Sequence, residues 1–357
     1  MLEKGNLIGH VPTNPVILAQ PGALLPHEAE MGTTVRASLA LLILVGNFVV
    51  TGPTAAQNYP TKPIRLIVPF APGGINDTVA RPVAERMKSA LGTIVIENLS
   101  GAGGVIGAGA VARAAPDGYT ILVGSAATHV VGPLTVAARP YDPLKDLRSV
   151  GILALSGLAV SVNPSLPVKT LNELVDFANS QPRQLSYASA GTGSAGHLAG
   201  ELFKSLFRAP GISHVPYKGG APALADLLGG HVPVGVLNIS GQLFEFHRTG
   251  KIRVLAVTTA NRSTAAPEIV TARESIQGMV AINFFGLFVP AATPGLVVEK
   301  IVAAMHVAMT DKTVLEQLGK GGLEISADNT PDKAHRFVED EISRWSPVIK
   351  SLGLKLD

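Results

Sequence analysis

Residues 69–77, PFAPGGIND, place a Gly-Gly pair between an apolar segment and two polar residues that can begin a helix. The segment before the glycines, residues 64–70, has the composition of a buried strand. Glycine lets backbone N–H groups come close to a bound molecule, and the N-terminus of a helix attracts negative charge. This spacing therefore predicts anion binding. The anion could be a nucleotide phosphate, a substrate about to react, or a small anion that is only held.

Four further loops of this kind follow strand-like segments, and all are rich in Gly, Ser, Thr, Asn and Ala. They occupy residues 124–129, 189–194, 217–220 and 238–241, and Lys218 is the only lysine or arginine among them. One such loop indicates only a turn or a helix cap. In α/β proteins, however, ligands bind where strands end and helices begin. Five such loops in one chain favour a shared site for a small anion, and from the loop 124–129 we expect Ser125 and Ala126 to contribute.

The residue patterns of the common enzyme classes are missing from the sequence. GAGAVA at 107–112 lacks the acidic residue that a dinucleotide ribose needs after the next strand, and no P-loop or G-x-S-x-G motif occurs. The histidines have no metal-ligand spacing, and there is no cysteine. The sequence therefore predicts a binding protein with no catalytic residues, no metal and no cofactor.

The N-terminal region has the pattern of a secretory signal peptide beginning at Met31. Arg36 precedes an apolar run at 39–50, which is followed by the small residues Thr54, Ala55 and Ala56. This run of twelve residues is shorter than the roughly 20 of a membrane span, so we weigh a membrane anchor as the weaker alternative. We expect cleavage after Ala56 and a periplasmic mature chain, with residues 1–30 an upstream extension. The net charge of +3 does not favour a nucleic-acid partner.

Strand-like and helix-like segments alternate from residue 59 onward, which predicts βαβ units and mainly parallel sheets. The predicted strands are 64–70, 94–97, 120–124, 152–155, 159–162, 185–188, 212–215, 232–237, 252–257 and 284–289. The predicted helices are 77–91, 103–113, 171–179, 197–207, 222–228, 296–309 and 331–352. Pro82 is expected to kink or delay the first helix.

A series of motifs along residues 59–352 resembles the extracytoplasmic substrate-binding proteins of tripartite tricarboxylate transporters, the Bug family. Each motif is weak alone, but their order over nearly the whole mature chain is specific. The motifs are YP at 59–60, KPIR at 62–65, PFAPGGxxDxxAR at 69–81, GAGGxIG at 101–107, PDGYT at 116–120, GTGSxxHL at 191–198, ELF at 201–203, VPYKGxAP at 215–222, LAVT at 255–258, RS at 262–263 and PAxTP at 290–294.

This resemblance implies an α/β, type II periplasmic-binding-protein (Venus-flytrap) fold, with two α/β domains joined by crossing strands near 158–162 and 284–289. Domain 1 would combine residues 57–157 with 285–357, and domain 2 would be residues 158–284. The resemblance places one ligand carboxylate on the first loop and the other end of the ligand on domain 2. The residues implied are Phe70, Gly73, Gly74 and Asp77 in domain 1, and Ser189, Gly193, Ser194, Lys218 and Gly219 in domain 2.

The implied function is that of a monomeric receptor that captures a small carboxylate, such as a di- or tricarboxylate, for membrane permease subunits. Leu237 occupies a position where the family often has Asp. The missing acid removes a partner for a ligand amine, so we expect a plain carboxylate rather than an amino acid. Two alternatives remain open: a sensor component that presents the ligand to a signalling receptor, and an exported enzyme that uses the same cleft.

Overall fold

The strands are short runs rich in β-branched and aliphatic residues, and they join into one mixed sheet. The computed structural model describes residues 58–136, 140–180, 185–326 and 330–355. The predicted extension (1–30) and signal peptide (31–56) lie outside this part of the chain. The strands are β1 (Ile64–Val68), β2 (Ile94–Asn98), β3 (Thr120–Ser125), β4 (Leu147–Val162), β5 (Leu185–Ser189), β6 (Ile212–Pro216), β7 (Val234–Asn238), β8 (Arg253–Val257), β9 (Ile282–Pro290) and β10 (Glu324–Ile325).

The helices cover both faces of this sheet and supply the loops of interest. They are α1 (Ile75–Leu91), α2 (Val105–Ala112), α3 (Gly132–Thr135), α4 (Leu171–Ser180), α5 (Ala195–Leu206), α6 (Gly220–Gly229), α7 (Gly241–Arg248), α8 (Ala272–Ser275), α9 (Gly295–Met309), α10 (Lys312–Lys320) and α11 (Pro331–Ser351). A 3₁₀ turn (Ala102–Gly104) precedes α2, and a π-helical turn (Ala127–Val131) precedes α3. No helix in the described ranges is both long enough and apolar enough for a membrane span.

The long strand β4 divides the sheet into two halves. The strand order is β2-β1-β3-β9-β4-β7-β5-β6, with β10 and β8 as additional partners of β4. From Leu147 to Gly157, β4 pairs with β9, whereas from Leu158 to Val162 it pairs with β7 and β8. We call the part built on β1–β3 and β9 the first half, and the part built on β5–β8 the second half. We propose the domain boundaries 157/158, where the partner of β4 changes, and 284/285, which falls inside β9.

The prediction of mainly parallel sheets is wrong at the centre of the molecule. Pairs β1–β2, β1–β3, β5–β6 and β5–β7 are parallel, but every strand that pairs with β4 or β9 is antiparallel to it. The two strands predicted at 152–155 and 159–162 are a single strand. A chain that crosses between two halves and returns must run in opposite directions at the crossing, which produces this antiparallel centre.

Helix α1 begins earlier than predicted and continues through Pro82. Its buried face, which includes Val79, Val83 and Met87, packs into the core of the first half together with β1 and α9. This apolar burial holds the helix in place although Pro82 cannot donate a backbone hydrogen bond. The C-terminal helix α11 packs on β4 through Val338, Trp345 and neighbouring residues.

Candidate functional site

A cleft of about 330 Å³ lies between the two halves, where strands end and helices begin. Most of the residues that line it lie at the starts of α1, α5, α6 and α7, and the others come from the ends of β3 and β7, the start of β9 and the end of α10. The first N–H groups of a helix have no partner within the helix, and the helix dipole makes this end positive. Four helix N-termini therefore give one cleft a positive potential without a cluster of cationic side chains.

The N-caps of these four helices explain why Gly and Ser recur in the loops. Gly74 and Gly219 cap α1 and α6, whereas Ser194 and Ser240 cap α5 and α7. The Ser194 hydroxyl accepts a hydrogen bond from the N–H of His197, and the Ser240 hydroxyl accepts one from the N–H of Leu243, each at 3.1 Å. The two serine hydroxyls hold the first turns of α5 and α7 in place. The two glycines have no side chain and therefore leave the backbone N–H groups at the starts of α1 and α6 accessible.

Three buried polar atoms of cleft-lining residues have no hydrogen-bond partner within the described part of the chain. They are the side-chain amide nitrogens of Asn76 and Asn238 and the hydroxyl oxygen of Ser125. Asn76 is 4% exposed and Ser125 is fully buried. An unsatisfied buried polar group costs about 1–3 kcal/mol, so such groups are rare unless a ligand completes them. All three atoms can donate a hydrogen bond.

Among the residues that the structure describes, those that line the cleft include no carboxylate, and Lys320 is the only one of them with a charged side chain. That side chain is 82% exposed and lies 3.9 Å from Glu316. The apolar part of the lining includes Leu224, Leu237 and Leu243. The cleft thus combines hydrogen-bond donors with an apolar wall and suits an anion with a short carbon skeleton.

Five of the residues predicted from the sequence line this cleft: Phe70, Gly73, Gly74, Ser125 and Ser194. Lys218 instead lines a neighbouring cavity of about 200 Å³, to which Phe70 and Gly103 also contribute. The remaining predicted residues lie behind or beside the lining residues. They are Asp77, Ala126, Ser189, Gly193 and Gly219.

Asp77 anchors the first loop from behind. Its buried carboxylate accepts hydrogen bonds from the Gly73 N–H (3.0 Å), from the Arg81 guanidinium (2.7 and 2.9 Å) and from the Asn98 amide (3.1 Å). Burial alone would raise the pKa of Asp77, but these hydrogen bonds and the charge of Arg81 hold it below its usual value. The expectation that Asn76 or Asp77 caps α1 is wrong, because Gly74 is the N-cap.

We predict that Asp77→Ala lowers the free energy of unfolding by about 2 kcal/mol, because hydrogen-bond donors lose a charged, buried acceptor. Asp77→Asn should also destabilise, since its NH₂ group would face a donor. The native pKa is lowered, so this stabilisation is complete above pH ~4 and is lost as the pH falls below that. Urea unfolding of wild type and variants at pH 7 and pH 3 measures both effects. Equal losses at the two pH values would contradict the assignment.

Two stacked histidines support the loop at 189–194. The rings of His197 and His214 lie 4.0 Å apart at an interplanar angle of 12°. His197 Nδ1 accepts a hydrogen bond from the Gly193 N–H at 3.1 Å, and His214 Nε2 lies 2.7 Å from the Ser189 hydroxyl. Burial, with His197 and Lys204 nearby, lowers the pKa of His214 to about 3. His214 is therefore neutral at physiological pH and has a structural role beneath the loop.

We predict that stability falls as the pH drops from about 6.5 toward 3, because the unfolded chain binds a proton on His214 that the folded chain does not. For this one group, the free energy of unfolding changes with pH by at most about 1.4 kcal/mol per pH unit. His214→Gln should reduce this slope in urea unfolding between pH 7 and 4.5. The same slope in wild type and His214→Gln would contradict the assignment.

The two halves of the molecule touch on both sides of Phe70. A Cβ atom at Gly103 in the first half would overlap the carbonyl oxygen of Thr192 in the second half. A Cβ atom at Gly219 in the second half would lie 3.2 Å from the side chain of Ala71 in the first. Glycine at these positions thus permits the close approach of the halves, and the structure corresponds to a closed cleft.

The sequence reasoning missed Asn76, Asn238 and Asn283 as site residues. Asn76 and Asn238 lie in the predicted loops, but asparagine in such a loop is also typical of a turn or a helix cap. Asn283 lies in β9 and lines the cleft, and its amide oxygen accepts a hydrogen bond from the Ala126 N–H at 3.1 Å. A polar residue at the start of an otherwise apolar strand was the available signal for Asn283.

Comparisons with known proteins agree with the resemblance seen in the sequence. Residues 79–354 match the model of the tripartite tricarboxylate transporter family receptor. BugT of Bordetella pertussis is 36% identical over 324 residues, which cover 88% of this chain and 98% of BugT. MatC of Rhodopseudomonas palustris, solved with bound malate, is 33% identical with a TM-score of 0.78, and the match covers 82% of this chain and 100% of MatC.

A second R. palustris protein, solved with adipate, is 35% identical with a TM-score of 0.78, and the match covers 84% of this chain and 99% of that one. These similarities confirm the two-domain periplasmic-binding-protein fold that was predicted. They also confirm the interpretation as a binding protein, since the family consists of receptors rather than enzymes. The chain belongs to the Bug family of tripartite tricarboxylate transporter receptors, which are periplasmic solute-binding proteins.

Proposed function

We propose that this protein captures a small carboxylate anion in the cleft and delivers it to the membrane permease subunits of a tripartite transporter. The observation that carries the proposal is the set of three unpartnered donors at Asn76, Ser125 and Asn238. The three residues line a cleft at which four helix N-termini meet, and the described residues that line it include no carboxylate. Two relatives of known structure were solved with malate and with adipate, which supports a carboxylate as the ligand class.

The binding mechanism follows from the geometry of the closed cleft. A carboxylate between the halves exchanges its water shell for N–H and hydroxyl donors on both sides. Because the donors come from both halves, the ligand binds the closed state more tightly than the open state and shifts the population toward closure. Closure also brings surfaces of the two halves together, which gives a permease a way to distinguish loaded from empty receptor.

Within this proposal the predicted residues have two different roles. The direct contacts come from the loop of Gly73 and Gly74, from Phe70 and from Ser125 and Ser194. The supporting residues hold the loops that present those contacts; they are Asp77, Ala126, Ser189, Gly193 and Gly219. Lys218 adds positive charge at the neighbouring cavity.

We further propose that residues 31–56 direct export and are removed after Ala56, and that the mature receptor is a monomer. The family is periplasmic, and the order of Arg36, apolar run and small residues supports this. Mass spectrometry of the intact protein from a periplasmic extract tests the cleavage. A chain that begins at Gln57 is expected, whereas a membrane-bound chain that retains its N-terminus would contradict it.

A thermal-shift screen tests the proposed ligand class. The panel contains mono-, di- and tricarboxylates, aromatic acids and amino acids. A ligand at 100 times its Kd should stabilise the protein by about 2.7 kcal/mol. At least one carboxylate should raise the Tm and be recovered unchanged. A carboxylate that is consumed would indicate an enzyme, and a panel in which no carboxylate raises the Tm would contradict the proposal.

A further inference from the structure

Three groups connect the two halves at the floor of the cleft, and we call them the amide relay. The N–H of Ala126, just after β3, donates to Oδ1 of Asn283 at 3.1 Å. Nδ2 of Asn283 donates to Oδ1 of Asn238 at 3.4 Å. Asn283 is 4% exposed and lies on β9, whereas Asn238 ends β7 in the second half. The relay thus runs from the first half to the second directly beneath the cleft.

The backbone group at the start of the relay fixes the orientation of both side chains. A backbone N–H can only donate, so Asn283 must turn its oxygen toward Ala126 and its NH₂ toward Asn238. Asn238, which lines the cleft, must then accept with its own oxygen, so its NH₂ is the group of this amide that is left over. This NH₂ nitrogen is buried and has no partner among the described residues. The relay therefore presents a hydrogen-bond donor to the ligand, and not an acceptor.

Among the described residues, the side chains next to Asn238 and Asn283 supply no carboxylate that could offset this donor. The Ser156 hydroxyl, on the residue paired with Asn283, already donates toward the carbonyl oxygens of Gly157 and Ile239. Leu237, the residue before Asn238, is apolar, and the cleft-lining residues include no carboxylate.

We infer that the amide relay makes the receptor select carboxylates that lack an amino group at the floor of the cleft. The inference rests on the proposed function and specifies it further. The ligand atom at the floor must have a lone pair, as a carboxylate or carbonyl oxygen does. An ammonium group there would lose part of its hydration and place one hydrogen-bond donor against another at the Asn238 NH₂, with no carboxylate among the described lining residues to pair with its charge. Asn238 is a ligand contact, and Asn283 is a positioning residue that acts through Asn238.

The test measures affinities by calorimetry for two pairs of ligands with the same skeleton: succinate with aspartate, and adipate with 2-aminoadipate. Adipamide serves as an uncharged ligand that still offers carbonyl oxygens. Wild type should bind the amine-free member of a pair at least about tenfold more tightly.

Substitution of either asparagine of the relay by Asp should make the relay present a hydrogen-bond acceptor to the ligand instead of a donor. In Asn283→Asp one oxygen keeps the Ala126 contact, and the other attracts the Asn238 NH₂, so that the Asn238 oxygen turns to the cleft. Asn238→Asp places an acceptor at the cleft directly and leaves Ala126 and Asn283 as they are. Both variants should shift the affinity ratio at least about tenfold toward the amino compounds.

Two further variants separate the effect of the Asn238 donor from the effect of an added negative charge. Asn238→Leu removes the donor without adding charge, so it should weaken carboxylate binding and bring no gain for amines. Asn179 is exposed and distant from the cleft, so Asn179→Asp adds the same charge and should leave the ratio at its wild-type value. If Asn283→Asp fails to fold, Asn238→Asp still reports the inversion.

The possible outcomes separate this inference from the proposed function. The inference about the relay would be wrong if wild type bound both members of a ligand pair equally. It would also be wrong if Asn238→Asp and Asn283→Asp had the same affinity ratio as Asn179→Asp. Neither result would contradict carboxylate binding. Binding of adipamide but of no carboxylate would overturn the proposed function and support the relay. Binding of no compound in the panel would reject both.

Discussion

Gly103→Ala is expected to reduce ligand affinity by about a hundredfold while the protein stays folded. The added Cβ would overlap the carbonyl oxygen of Thr192, which lies in the opposite half of the molecule. The overlap is relieved when the halves move apart, so the variant keeps its two cores and loses population of the closed state. Affinity falls in proportion to the fraction of molecules that can close. Calorimetry with the carboxylate found by the thermal-shift screen measures the loss.

Gly92→Ala is the matched control for this prediction. Both glycines have positive φ, +63° at Gly103 and +66° at Gly92, so an alanine at either position strains the backbone by about 1–2 kcal/mol. A Cβ at Gly92 meets no atom within 4 Å, however. Gly92→Ala should therefore lower the stability without changing affinity. Equal affinities of the two variants would contradict the closure of the halves as the basis of binding.

Asn76→Leu is expected to reduce affinity about 10- to 100-fold while the stability of the free protein is unchanged or rises by about 1 kcal/mol. The variant removes a donor that a bound carboxylate needs, and a hydrogen bond to a charged group contributes about 1.5–3 kcal/mol. In the free protein the same NH₂ is buried without a partner, so its removal costs no hydrogen bond. Calorimetry and urea unfolding on one preparation give both values.

The opposite result is expected for Asn163→Leu. The Asn163 amide donates to the Leu227 carbonyl oxygen at 2.8 Å, and its oxygen accepts from Ser165. Asn163 is not among the cleft-lining residues. The substitution should therefore lower stability and leave affinity unchanged. If Asn76→Leu lost stability in the same way, Asn76 would be a structural residue and not a ligand contact.

Much of the fold could be predicted from local sequence patterns. Strand β1 is a short, mainly apolar run between two prolines, β3 is one that ends in Gly-Ser, and α9 has a clear apolar face, so both element types were recognisable. The long strand β4 was not, because Ser156 and Gly157 interrupt its apolar pattern at the crossing between the halves. A Cβ at Gly157 would overlap the Thr259 side chain, so the glycine reflects tertiary packing that no local pattern reveals. Helix α7 was also missed, since it buries little beyond Leu243 and Phe244.

The candidate site could be predicted as a set of loops but not as a set of contacts. Gly73, Gly74, Ser125 and Ser194 were identified because Gly and Ser at strand-to-helix junctions have a known chemistry. The role of Asn283 depends on Ala126, which is 157 residues away in the chain. An unpartnered atom becomes visible only once every neighbour has been placed in three dimensions, which no single-sequence pattern provides.

A crystal structure of the mature receptor with the carboxylate that gives the largest thermal shift tests the proposed binding site directly. We expect carboxylate oxygens within about 2.7–3.2 Å of Nδ2 of Asn76, Oγ of Ser125 or Nδ2 of Asn238, between closed halves. The ligand should be chemically unchanged. A carboxylate bound outside the cleft, or one in the cleft that leaves all three donors unpaired, would show that these donors do not bind the ligand.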